Sequence, residues 1–255
     1  MFDSYRYENG RWYRAYKGPL TIGNRLDILH HTYLLLLDGN LHLAPIPPDP
    51  QGILDIGTGT GILAIDMAER HSSAQVIGAD LSPIQPSWVL PNVQFQIDDA
   101  EGSWTWEKNS FDLARIRHIT GAIKDWRRLI LEASEFLKPG GYLEVAEYEM
   151  KLYSDDGMLR ESHGIYRYYD PVDKAATSTG REFRIATHIE PFIRKAGLTD
   201  THRSIYKLPA GAWPADPNAE NGFEAFGMKL FTQAKELIEE TMRNAKSRKI
   251  HSYCK

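Results

Sequence analysis

Residues 52–61 read Gly-Ile-Leu-Asp-Ile-Gly-Thr-Gly-Thr-Gly. The last three glycines, Gly57, Gly59 and Gly61, alternate with threonines, and Asp55 stands just before them. Such a turn lets a ligand reach the main chain with no Cβ in the way, and a helix starting beyond it offers unpaired N–H groups to a negative group. Asp80 lies about 20 residues further on, where an acid's two oxygens match the two hydroxyls of a ribose. Asp98, Asp99 and Ala100 follow. A carboxylate there can accept from an adenine amino group while a neighbouring N–H donates to a ring nitrogen. Arg117 and His118 come next, then Glu147 and His163. His118, Glu147 and His163 are the residue types that take a proton from a substrate. The structural alternatives are a tight turn with no ligand, and a turn aspartate at Asp80 before Leu81-Ser82-Pro83.

Positioning these groups requires strands that end where they stand. The apolar run Ile53, Leu54, Ile56 predicts a buried strand, and residues 62–69 have helical spacing. Together with the glycine turn they make a nucleotide-binding βα unit. Residues 75–79 predict a second strand ending in Asp80, Val93–Ile97 a third, 111–116 a fourth and 142–146 a fifth, closing near Glu147. Residues 126–137 predict an amphipathic helix, and Lys138-Pro139-Gly140-Gly141 a turn. Arg117 and His118 then fall at a carboxyl strand end, where α/β sheets place their chemistry. Upstream, residues 25–37 predict a helix containing His30 and His31, followed by a stiff connector with Pro45, Pro47, Pro48 and Pro50. Residues 1–24 are a loop-like arm carrying Tyr5, Tyr7, Trp12, Tyr13 and Tyr16, which either covers the core or closes over a ligand. After the fifth strand the rhythm breaks. Residues 148–180, with Tyr166, Tyr168 and Tyr169, read as an insertion of the kind that builds substrate pockets. Residues 181–196 predict a helix closed by Gly197, 199–207 a sixth strand, 216–218 a loop, and 226–246 a helix with a basic end. The resulting division is an arm and helix over residues 1–50 and a ligand-binding domain over 51–255.

The bulk numbers set outer limits. The chain has 255 residues, 42% hydrophobic and 25% charged, ordinary values for one α/β domain with additions. A net charge of −4 gives no global reason to expect nucleic acid. The single cysteine, Cys254, excludes an intramolecular disulfide and a cysteine-rich zinc site and favours a reducing compartment. The N-terminus has no signal-peptide core, and the longest aliphatic run, residues 34–37, is too short to span a bilayer. The acidic pairs Asp98/Asp99 and Asp155/Asp156 do not form a convincing metal set, so none is expected. The basic residues Arg243, Lys246, Arg248 and Lys249 are interspersed and read as a solvated face rather than a nuclear-localisation run.

The steps of two between Gly57, Gly59 and Gly61 depart from the dinucleotide fingerprint, and with Asp55 they resemble motif I of class I S-adenosylmethionine (SAM) methyltransferases. Further runs agree in order: Arg25-Leu26-Asp27, Leu43-Ala44-Pro45-Ile46, residues 77–86, Pro91-Asn92-Val93, Asp98-Asp99-Ala100-Glu101 and Lys138-Pro139-Gly140-Gly141. Over residues 10–207 the chain is similar to the fungal LaeA-like, or TAM-domain, methyltransferases. The resemblance implies an α/β Rossmann-like sheet with helices on both faces. It also implies SAM held by Asp55, Gly57, Thr58, Gly59 and Gly61, with Asp80 on the ribose and Asp99 and Ala100 on the adenine. Tyr13 and Tyr16 on the arm, Arg25, Leu81 and Arg117 are further cofactor-binding candidates. Two departures stand out. The link before Arg25, Gly18-Pro19-Leu20-Thr21-Ile22-Gly23-Asn24, is shorter than the family's. The family's last antiparallel strand, past the His-Ser-Tyr region, is expected to be missing or cut off.

Methyl transfer from SAM is an in-line displacement that leaves S-adenosyl-L-homocysteine, so the protein supplies alignment and sometimes a base. The leading reading is a cytoplasmic enzyme methylating a small-molecule acceptor of fungal secondary metabolism, with His118, Glu147 and His163 as candidate bases and neither nucleic acid nor membrane as partner. The alternatives are a LaeA-like regulator, nuclear and acting through protein partners, and a fold that binds SAM without transferring methyl groups. Oxygen, nitrogen, sulfur and carbon acceptors share this fold.

Overall fold

The computed structural model describes residues 5–8, 11–14, 22–149, 151–164, 166–167, 169–209 and 253–254. Of the expectations above, Tyr16 and residues 15–21 of the arm, Tyr168, the loop at 216–218 and the helix at 226–246 with its basic end lie outside the described residues.

The arm contains two strands, β1 (Tyr5–Glu8) and β2 (Arg11–Arg14), paired antiparallel with Glu8 opposite Arg11. The loop-like reading missed this hairpin, although an Asn-Gly dipeptide between alternating aromatic and charged residues is a strong hairpin signal. Helix α1 (Ile22–Leu36) follows. Then comes the βα series: β3 (Gly52–Ile56), α2 (Ile62–Arg70), β4 (Gln75–Asp80), β5 (Val93–Ile97), β6 (Phe111–Arg117), α3 (Trp126–Phe136) and β7 (Leu137–Ala146). The five strands β3–β7 form one sheet in the order β5-β4-β3-β6-β7, with every neighbouring pair parallel. Strand order reverses between β3 and β6, and ligands of α/β sheets settle outside the carboxyl ends at such a point.

Alternation along the strands builds the two apolar layers. Leu54, Ile56, Ala114 and Ile116 pack against Trp126, Leu129, Ile130 and Ala133 of α3 on one face. Ile53, Val76 and Leu113 pack against Leu63, Ala64 and Met67 of α2 on the other. Each fully buried aliphatic side chain contributes about 1.5–3 kcal/mol relative to exposure. Asp125 caps α3 by accepting from the Arg128 N–H at 2.9 Å. Lys138-Pro139-Gly140-Gly141 lies inside the span of β7 as a register shift. Leu137 pairs with Phe111 but Tyr142 pairs with Leu113, and Gly140 has φ 81°.

Beyond β7 come β8 (Leu152–Tyr153), α4 (Tyr169–Ser178), a 3-10 turn (Ile185–Thr187), α5 (Ile189–Lys195), β9 (Leu208–Pro209) and β10 (Tyr253–Cys254). The helix expected over 181–196 is therefore only α5 and the turn before it. Pro191 is the reason: in α5 it occupies the first turn, where a missing N–H costs nothing, whereas a helix begun at 181 would carry it in the interior. The sixth strand expected over 199–207 does not form. That segment is exposed along most of its length, Ile205 and Tyr206 included, so it has no apolar face to bury. Instead β10 pairs antiparallel with both β8 and β9, so a short antiparallel strand does occur at 253–254.

Candidate functional site

The glycine turn leaves β3 beside the reversal point. Gly57 and Gly61 have φ 72° and 79°, left-handed values, and Gly61 is the N-cap of α2. A Cβ on Gly61 would enter the Phe95 ring, and one on Gly57 would overlap Ile119, so both positions combine a backbone and a space requirement. The turn is fastened from several directions. Gly57 and Thr58 N–H groups donate to the Ala79 carbonyl at 2.8 and 3.0 Å. Gln85 Nε2 donates to the Gly59 carbonyl at 2.6 Å, and Thr60 Oγ1 donates to Asp27 Oδ1 of α1 at 2.7 Å. Asp80 accepts from the Gly59 N–H through Oδ2 and from the Ser82 N–H through Oδ1, both at 2.9 Å. Each of its oxygens retains a lone pair for a further donor, so the carboxylate is already oriented as a diol acceptor would be.

A row of charged side chains crosses the sheet on the face that α1 covers. Asp55, Arg115 and Glu144 are register partners on β3, β6 and β7. Arg115 is fully buried and pairs with Glu144 at 3.2 Å, whose second oxygen holds the Leu43 and Ala44 N–H groups at 2.7 Å. Asp55 is buried and accepts from Thr58 Oγ1 at 2.6 Å. Burial pushes its carboxyl above the usual range, and Asp80 adds to this; Arg117, Thr58 and Arg115 offset part of the rise. Two residues along β6, Arg117 donates from Nη2 to His30 Nδ1 at 3.0 Å and stacks over the Tyr33 ring at 5.0 Å. Burial and Arg115 bring the Arg117 guanidinium down to about 10, against Asp55, Tyr33 and Asp66, so it remains a cation at neutral pH. Burial pushes the Tyr33 phenol up, and its hydroxyl donates to the Ala146 carbonyl at 3.2 Å. His30 is buried, and its Nε2 meets Asp66 Oδ2 at 3.0 Å.

Leu26, Leu29, Asp55, residues 57–60, Ile62, Arg117 and His118 line a cleft of about 400 Å³, its open mouth included. The cleft brings together Asp55, Gly57, Thr58, Gly59, Arg117 and His118 from the expected set. Asp80 stands at the adjoining strand end, and Leu81 and Ile97 are strongly exposed there, 67% and 68%, offering an apolar seat beyond it. These features fit SAM. The cleft offers an acid and a cation suited to an α-amino acid end, a glycine turn that leaves the main chain accessible, and beside it an oriented carboxylate suited to ribose hydroxyls. Asp99 Oδ1 accepts from the Glu101 N–H at 2.9 Å in the turn after β5, and the Ala100 carbonyl accepts from Trp104 Nε1 at 3.2 Å. Arg25 lies in the first turns of α1 beside Leu26, and Tyr13 falls in β2. His118 has φ 59° and stacks on Tyr148 with ring centroids 4.7 Å apart. Glu147 accepts from the Ile119 N–H at 2.7 Å and from Thr120 through N–H at 3.2 Å and Oγ1 at 2.6 Å. His163 Nδ1 accepts from the Arg160 N–H at 3.1 Å within its own turn and is not among the lining residues.

The sequence reading missed the lining positions Leu26, Leu29, Thr60 and Ile62 and the Asp66–His30–Arg117 connection. The available signal was an acid, Asp66, on the apolar face of α2, and Asp27 and His30 one turn apart on α1.

Comparison with known proteins bears on this site. Residues 28–202 match the family model described as a methyltransferase domain. Methyltransferase pytC of Aspergillus terreus is 39% identical over 248 residues, covering 90% of this chain and 76% of that protein. Secondary metabolism regulator LAE1 of Cochliobolus heterostrophus is 31% identical, covering 96% and 91%. Among solved structures, the YcgJ protein of Bacillus subtilis superposes with a TM-score of 0.51 at 21% identity over 89% of this chain and 94% of that one, a likeness of fold.

Proposed function

Since this chain belongs to the methyltransferase-domain family, among its LaeA-like class I members, we propose that it methylates a small-molecule acceptor of fungal secondary metabolism in the cytoplasm. The observation that carries the reading is the cleft at the strand-order reversal, which Asp55, the glycine turn and Arg117 line together. SAM, when bound, supplies an electrophilic methyl group. Asp55 would accept from its α-ammonium, Arg117 would donate to its α-carboxylate, and Asp80 would accept from the ribose hydroxyls. Leu81 would cover the adenine, whose edge would meet Asp99 and Ala100. Holding donor and acceptor in line is the main contribution of such a site. Of the three candidate bases His118 is the one lining the cleft, and we assign it the acceptor's proton. Glu147 is instead a tether for the loop after His118, and His163 is engaged in its own turn. Among the described residues no helix is long and apolar enough to cross a membrane.

Calorimetry with SAM tests the cofactor; the expected result is saturable binding that weakens about tenfold or more in Asp80→Ala, the scale of hydrogen bonds to a charged group. No heat and no thermal shift at millimolar SAM would overturn it. Methyl-labelled SAM added to an extract of a deletion strain should then label a metabolite only when the protein is present. The likeness to LAE1 supports a second reading, a regulator working through protein partners. A stable partner in pull-downs together with no labelled metabolite would favour it.

A further inference from the structure

Arg117 does not reach the cleft on its own; three side chains from two helices hold it. Its Nη2 donates to His30 Nδ1, its guanidinium lies over the Tyr33 ring, and His30 Nε2 meets Asp66. These contacts fix a protonation state. A guanidinium only donates, so His30 Nδ1 must be the acceptor, and the imidazole proton then sits on Nε2 and is donated to Asp66. His30 is therefore a neutral Nε2–H tautomer, and burial, its largest influence, acts in the same direction. Asp66 sits on the apolar face of α2, next to Met67 and well inside the fold, and is itself only 6% exposed. A buried acid, a neutral histidine and a buried-edge arginine in series form an orienting chain, comparable in logic to an acid that selects a histidine tautomer behind a reacting group.

We propose that His30 is a positioning residue for the cofactor: with its tautomer set by Asp66, it turns Arg117 so that the remaining guanidinium N–H groups face the α-carboxylate of SAM. This rests on the methyltransferase reading and deepens it. The consequence is specific to one end of the cofactor. Arg117 meets only the amino acid portion, so disturbing His30 weakens ligands that carry the carboxylate and leaves those that lack it.

The test compares S-adenosyl-L-homocysteine with 5′-methylthioadenosine, which shares the adenosine and thioether but has no amino acid end. Both are titrated calorimetrically into the full chain and into His30→Phe and His30→Asn. His30→Phe removes the acceptor and should weaken S-adenosyl-L-homocysteine about tenfold, while 5′-methylthioadenosine changes less than about twofold. His30→Asn keeps an oxygen near the Nδ1 position and should recover part of the loss. On the unaltered protein, ring-nitrogen resonances of His30 should report the neutral Nε2–H tautomer and move on adding S-adenosyl-L-homocysteine but not 5′-methylthioadenosine. This measurement stands even where His30→Phe does not fold. Equal weakening of both ligands makes His30 a packing residue and overturns the inference, as does no change in either. Binding of neither ligand to the unaltered protein overturns the methyltransferase reading and the inference with it.

Discussion

Asp55 carries a conflict between stability and function. Its folded carboxyl is raised by burial. A raised value means that its contribution to stability is fully present below the unfolded value of 3.8 and is lost as pH rises through the folded one. Above that folded value the ionised group is thus a burden on the apo fold, only partly offset by Arg117, Thr58 and Arg115. Asp55→Asn should leave the melting temperature unchanged or a few degrees higher while weakening S-adenosyl-L-homocysteine about tenfold, read by thermal unfolding and calorimetry. A lower melting temperature would assign Asp55 to the structural network instead. Gly61 works the other way. Gly61→Ala combines a left-handed φ with a Cβ inside the Phe95 ring, and should cost about 2–4 kcal/mol in urea unfolding. Pairing it with Phe95→Ala should relieve the overlap component and not the backbone component. The glycine turn, Asp55 and Asp80 were legible in the sequence because one βα unit and the next strand bring them together with little help from elsewhere. The Asp66–His30–Arg117 connection was not, since 36 and 87 positions separate the pairs and only the packing of α1 across the sheet joins them.

Among the elements, the first residues of the loop between β6 and α3 are held by one carboxylate, while Glu101 holds its last two. Glu147, just past β7, receives three donors from Ile119 and Thr120. Ile119 in turn fills the space against Gly57, so the tether at one strand end sets the floor of the cleft at another. Glu147→Ala leaves these donors unmet and should cost about 1–3 kcal/mol of stability, with cofactor affinity falling as the loop loosens. Loss of activity with unchanged stability and binding would return Glu147 to the role of a base. Four of the five parallel strands were read to within a residue, three from apolar runs and β5 from its alternation, whereas β7 starts five residues before the expected 142 because Lys138-Pro139-Gly140-Gly141 has turn residues inside a strand. Helix α5 was overextended because spacing alone does not register where a proline can sit, and Pro191 permits only a start near 189. The strands β8, β9 and β10 are two residues each and carry no period to detect.

For the whole molecule, two histidines, buried His30 and half-buried His71, link folding, cofactor binding and pH. His30 is lowered from 6.5 mainly by burial, with Arg117 and Arg115 adding to this and Asp66 opposing it. His71 is lowered in the same direction by burial and by His42 and Arg70. A histidine lowered in the folded state supports stability that is present above the unfolded value of 6.5 and lost as pH falls from there through the folded value. Asp55 has the opposite sign, but its window lies above 3.8 and ends at its own raised folded value. In Asp55→Asn, where that opposing group is gone, urea midpoints should therefore decline as pH is lowered from 7 to 5. Protonating His30 does more than unload stability. The Nδ1 lone pair that accepts from Arg117 is consumed, and a new cation is placed against Arg117 and Arg115. Affinity for S-adenosyl-L-homocysteine should fall only as pH drops through the folded value of His30, below 6.5, whereas that for 5′-methylthioadenosine should follow only the loss of folded protein. If the two ligands weaken in parallel at every pH where the protein is folded, the acid sensitivity belongs to the fold as a whole and not to the orientation of Arg117.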